Sequence, residues 1–197
     1  MTMAQVFISH SKDDNISQNF FDKLFRSVNH KAFWYSWEGP TPPHAETLIK
    51  AINNSASLFV VLSKSMEKPH TRSWIGYEVG IASALNKNVW VFEPENEFYN
   101  VPVPYVTGYF QFPKLLEKLK TYPFYNLVET AGTEINLLGK PQIRPGFIEF
   151  INLYNTRCSH KDCKASYYVE DKQKSITIKC PVCRRDHLIK YQSPNRE

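Results

Sequence analysis

Residues 57–62 read Ser-Leu-Phe-Val-Val-Leu, and residues 73–78 read Ser-Trp-Ile-Gly-Tyr-Glu. The first run is apolar on both faces, as befits a central strand of a parallel sheet covered on both sides. The second opens a helix predicted over residues 74–85 and puts Trp74 and Glu78 four residues apart, on one helical face. Toward the N-terminus, Gln5-Val6-Phe7-Ile8 is a strand ending at Ser9-His10-Ser11. A helix with Ile16, Phe20, Phe21, Leu24 and Val28 follows, capped by Ser11 or by one of Asp13, Asp14 and Asn15. Residues 32–35 form a short second strand. It is stopped by Glu38-Gly39-Pro40-Thr41-Pro42-Pro43, a stiff loop because the prolines continue neither helix nor strand. An amphipathic helix over 46–54 carries Leu48, Ile49 and Ile52. Further strands are predicted over 89–92 and 109–112, before a helix opened by Pro113. This alternation predicts an α/β fold, a parallel sheet flanked by helices, with ligand chemistry at the carboxyl ends of the strands.

Composition narrows the function classes. The 197 residues are 42% hydrophobic and 22% charged, enough for one full domain and little more. The longest strongly apolar run, residues 56–62, is far shorter than the ~18 residues of a membrane span. Residues 1–5 show neither a basic nor an apolar leader region, so an intracellular, cytoplasmic, soluble protein without a membrane partner is expected. Neither GxGxxG nor GxxxxGK[ST] occurs, which removes the usual dinucleotide and P-loop chemistries. All four cysteines follow residue 157, so no cysteine nucleophile serves the α/β part. Charge is as uneven: residues 1–121 carry a net +1, residues 122–156 a net −1 and residues 157–197 a net +5.

Glu78 follows the loop after the most buried strand, which places it near the carboxyl edge of the sheet. A carboxylate beside an indole suits glycosidic-bond chemistry: the ring excludes water, and the charge stabilises an oxocarbenium-like ribosyl centre or orients a sugar hydroxyl. The alternative is that Trp74 packs in the core while Glu78 is solvated on a surface helix.

The ordered set comprises VFISHS, the helix with Phe20, Phe21 and Leu24, the second strand with its Gly/Pro loop, LIKAINNSA, SLFVVLS and SWIGYE. Together these resemble a TIR (Toll/interleukin receptor) domain over residues 1–121, with a flavodoxin-like sheet. Enzymatic members of that family cleave the nicotinamide–ribose bond of NAD, and some cyclise the product. The resemblance implies Glu78 as the catalytic residue and Trp74 as its aromatic neighbour. It implies Ser9, His10 and Ser11 along the nicotinamide-ribose side, and Trp37 and Glu38 as a wall and an acid. Residues 40–44 would be the loop used for self-association and gating. His10 stands where Tyr or Phe is frequent, and no Arg follows it; a histidine merely satisfied within its loop is the alternative there. Nucleoside deoxyribosyltransferase-like proteins share the sheet order and a helical Glu, but their sugar-binding residues are not evident.

The cysteines are spaced Cys158-x4-Cys163 and Cys180-x2-Cys183, with 16 residues between the pairs. Two such knuckles make a closed four-thiolate shell, as in a structural zinc ribbon whose folding energy comes from the metal. Residues 166–169 and 175–178 are expected to form a hairpin with its turn at 170–174, with a third strand over 187–191. His160 is a spare ligand. Disulfides are the alternative, disfavoured in an intracellular chain. The divisions expected are residues 1–121 (TIR), 122–156 (connecting segment) and 157–193 (ribbon). Lys179, Arg184 and Arg185, interleaved with Tyr167, Tyr168 and Tyr191, offer a nucleic-acid surface; a surface for protein contacts or assembly is the alternative. The expectation is therefore an assembly-activated NAD glycohydrolase in signalling or antiviral defence, with structural zinc. A non-catalytic TIR adaptor and a nucleic-acid-binding zinc ribbon are the rivals.

Overall fold

The computed structural model describes residues 5–11, 31–34, 45–94, 96–112, 153–170 and 175–189. The helices expected after Ser11 and after Pro113, and the Gly/Pro loop, lie outside them.

Five short strands form the parallel core: β1 (Gln5–Ser9), β2 (Lys31–Trp34), β3 (Ser57–Val61), β4 (Asn88–Pro94) and β5 (Gly108–Phe112). Their spatial order is β2-β1-β3-β4-β5, the flavodoxin-like doubly wound order. β3 is buried at every residue and β4 at every residue after Asn88, matching their β-branched and aromatic composition.

Helix α1 (Ala45–Asn53) buries Leu48 and Ile52, one turn apart, and leaves Ile49 exposed. Helix α2 (Pro69–Ala84) begins five residues before the expected start. Pro69 occupies its first turn, where the missing N–H costs no helical bond. The helix ends in a left-handed Asn86 (φ 55°). There Lys87 N–H bonds the Ala82 carbonyl at 2.8 Å and Asn86 N–H bonds that of Ser83 at 3.0 Å. This Schellman-type stop feeds the chain directly into β4.

The remaining strands are β6 (Leu153–Arg157), β7 (Ser166–Glu170), β8 (Ile176–Lys179) and β9 (Asp186–Ile189). β7 pairs parallel to β5 through Gly108 and Tyr168, and β6 pairs antiparallel to β7. Among the described residues the main sheet thus has seven strands, and β8–β9 form a separate two-stranded one.

The expected pairing of residues 166–169 with 175–178 is corrected: β7 pairs with β6, and β8 with β9. The physical reason is that each cysteine pair is itself the hairpin turn. Cys158 N–H bonds the Ala165 carbonyl at 2.8 Å, and Cys180 N–H bonds that of Arg185 at 2.9 Å. In both turns the residue after the second cysteine is left-handed, Lys164 at φ 50° and Arg184 at φ 59°.

Candidate active site and cysteine centre

Ser9 ends β1, and its neighbour in the sheet is Val60 of β3. The β1/β3 boundary is where the strand order reverses, the crevice in which doubly wound sheets take ligands. Helix α2 brings Glu78 here. Glu78 is buried, at 4% exposure, and the side chains of Ser9 and Trp74 hydrogen-bond its carboxyl group. The i, i+4 spacing from Trp74 accounts for the indole contact. Burial pushes the carboxyl up to about 7, against Ser9 and Trp74, which favour the ionised form. Its Oε2 is buried and has no hydrogen-bond partner among the described residues. A buried carboxylate oxygen without a partner at the switch point of the sheet marks a candidate site.

Ser11 is buried beside this edge. His10 is half-buried; its Nδ1 approaches the Ile8 carbonyl at 3.4 Å, and its ring meets Trp34 edge-on with centroids 4.6 Å apart. Trp34, at the end of β2, was missed in the sequence; its place beside the exit of β1 follows only from strand pairing. Trp74 is partly buried, its ring tilted against Tyr77 at 5.7 Å. Trp37, Glu38 and residues 40–44 lie outside the described residues. A surface cavity of about 420 Å³, lined by Asn86, Lys87, Val89, Tyr105 and Thr107 among others, contains none of the candidate residues. It opens at the amino ends of β4 and β5.

The second centre is the cysteine cluster. A tetrahedral ion with Zn–S bonds of ~2.3 Å holds its sulfurs about 3.8 Å apart. Here Cys158 and Cys183 are 3.8 Å apart at Sγ, Cys163 and Cys180 are 3.9 Å apart, and all four lie within 4.8 Å of one another. No disulfide joins them. Backbone N–H groups of His160, Ala165 and Arg185 bond the sulfurs of Cys158, Cys163 and Cys183, an arrangement that favours thiolates. Burial and the neighbouring sulfurs push Cys158 up to about 12, although the His160 amide opposes them. Against its own burial, the backbone and guanidinium of Arg185 help bring Cys183 down to about 6. The set fits a soft dication, which would let all four ionise. The four cysteines could hold a zinc ion. His160 is not a fifth ligand; its Nε2 bonds the Asp186 carbonyl at 2.8 Å and ties one knuckle to the other hairpin.

Three cations expected on a nucleic-acid surface have acidic partners. Lys179 pairs with Asp186, Arg185 with Asp162, and Arg184 with Glu93. Glu93 went unrecognised in the sequence, although an acid directly after the apolar run Val89-Trp90-Val91-Phe92, within the same strand, signals a buried partner.

No protein-family profile and no curated protein matches the chain. The solved structures similar to this chain include the activated Roq1 resistosome directly recognizing the pathogen effector XopQ. That likeness is to a TIR domain. It has 20% identity and a TM-score of 0.36, over 48% of this chain and 59% of that one. Among the described residues, no helix is long and apolar enough to cross a membrane.

Proposed function

We propose that the chain is an NAD glycohydrolase of TIR type, with Glu78 as its catalytic carboxylate. The observation that carries this reading is the buried Glu78 at the β1/β3 boundary, bonded by Ser9 and Trp74, with Oε2 unpaired among the described residues. The ordered motif resemblance of residues 1–121 supports the same reading.

In the reaction the C1′–N bond of nicotinamide ribose breaks, and the electron pair leaves with neutral nicotinamide. The ribosyl carbon becomes cationic and is captured by water, which loses a proton, giving ADP-ribose; capture by an internal nucleophile gives a cyclic species. Ionised Glu78 faces the developing cation or fixes the ribose hydroxyls. A substrate that is cationic at nicotinamide favours the ionised carboxyl, so binding and ionisation support each other. Ser9, Trp74, His10 and Trp34 line the edge; Ser11, Trp37 and Glu38 are carried by the resemblance. Zinc on Cys158, Cys163, Cys180 and Cys183 is structural, since a closed four-thiolate shell leaves no position for substrate. Self-association through residues 40–44, a cytoplasmic setting and a role in defence or signalling belong to the same reading. The ion pairs of Lys179, Arg184 and Arg185 weigh against a nucleic-acid role for the ribbon.

The test is nicotinamide release from NAD by purified protein, dilute and under crowding that promotes assembly. Wild type should turn over, and Glu78→Ala should lose at least about 10²-fold, the scale of removing a charge-stabilising group. Equal turnover by the two would refute the assignment.

A further inference from the structure

The pairing of Glu93 with Arg184 joins two parts of the chain 91 residues apart. Glu93 sits one residue from the carboxyl end of β4 and is fully buried. Its carboxylate accepts from three donors: the Tyr99 N–H at 2.8 Å, the Tyr109 hydroxyl and the Arg184 guanidinium. Arg184 is the cation among them, and its side chain is only 9% exposed.

What holds Arg184 there is the second cysteine knuckle. Arg184 follows Cys183, is left-handed, and donates its N–H to the Cys180 carbonyl at 2.8 Å. The same knuckle turns the Pro181 carbonyl onto the Val103 N–H at 3.0 Å. One tight turn therefore supplies two acceptor-or-donor contacts to residues 93–103. The turn closes a hairpin of two four-residue strands, too small to hold its shape without help.

The edge on which it acts is the ligand edge. Ser9 pairs with Val60, and Val60 with Val91, so Glu93 lies two residues beyond the row of Ser9, two strands away.

We infer that the cysteine centre is a metal-operated clasp, in which metal on the second knuckle keeps Arg184 on Glu93 and so fixes the carboxyl end of β4 and the segment through Val103. Metal loss frees the turn, withdraws Arg184 and leaves Glu93 without its counter-charge; the segment around Tyr99 and Val103 then opens. The inference rests on the reading of the four cysteines as a metal site.

The test uses the full chain with zinc as the metal. Bound zinc is counted, and amide hydrogen exchange is followed at Tyr99 and Val103, in zinc-loaded wild type, in wild type stripped by a chelator under reducing conditions, and in Arg184→Ala. Exchange at a protected amide reports local opening. Stripping should raise exchange at both amides at least tenfold while β1 and β3 stay protected. Arg184→Ala should keep its zinc and show the rise at Tyr99. Zinc bound and then stripped with no change at Tyr99 and Val103 overturns the clasp alone, as does a zinc-loaded Arg184→Ala with wild-type exchange at Tyr99. Absence of bound zinc overturns the metal reading together with the clasp. The wild-type comparison decides the matter even if the variant does not fold.

Discussion

Glu78 is costly to the fold in the state that chemistry requires. Below about pH 4.5 its carboxyl is protonated whether the chain is folded or not. Between 4.5 and about 7 the unfolded chain ionises first, so folding takes up a proton and stability falls as pH rises. Above 7 both states are ionised and the loss is complete, about 3 kcal/mol for a shift of this size. Glu78→Gln cannot ionise. Between pH 4.5 and pH 8 its stability relative to wild type, from urea denaturation, should improve by about 3 kcal/mol; a pH-independent difference would contradict the buried carboxylate. Lys164 and Arg184 allow a matched comparison, since both hold left-handed backbone after a knuckle's second cysteine. Lys164→Gly relieves that strain at an exposed site and should be neutral or stabilising by up to about 1 kcal/mol. Arg184→Gly gains the same relief but strands Glu93, and should cost about 3–5 kcal/mol. Urea denaturation of the zinc-loaded variants decides between these; equal effects would mean that the Arg184–Glu93 pair contributes nothing.

At the scale of elements, the strands of the parallel core were legible because their burial pattern is local. SLFVVL could hardly be anything but a central strand, and Trp74 and Glu78 shared a face as their spacing required. The cysteine turns were harder to read. The polar stretch at 170–174 reads as the hairpin turn, whereas two knuckles of two thiols each, with left-handed exits, close the hairpins instead. The union of the first knuckle's hairpin with the main sheet was also invisible, since it rests on one register pair between Gly108 and Tyr168. Gly108 is needed there. A Cβ at that position would lie 2.4 Å from Cζ3 of Trp90, which is fully buried and has little room to give. Gly108→Ala should therefore destabilise by about 1–3 kcal/mol in urea denaturation, the usual cost of overpacking. An unchanged midpoint would mean that Trp90 can shift freely.

Over the whole molecule, one seven-stranded sheet carries two centres of different chemistry. A buried carboxylate bonded by Ser9 lies at the β1/β3 boundary, and four thiols gather beside the hairpins that join and adjoin the β5 edge. What sequence alone could not supply was long-range: Trp34 beside His10, and Arg184 reaching Glu93, contacts set by strand order and knuckle geometry rather than by any local pattern. The central proposal is that Glu78 is kept buried at the crevice, at a cost in stability near neutral pH, because it acts on the nicotinamide–ribose bond. Its most direct test is nicotinamide release from NAD at pH 8 by wild type and Glu78→Gln, under the same assembly conditions. The proposal predicts that the variant, relieved of a buried charge, loses at least about 10²-fold in turnover. Turnover by Glu78→Gln equal to that of wild type would contradict it.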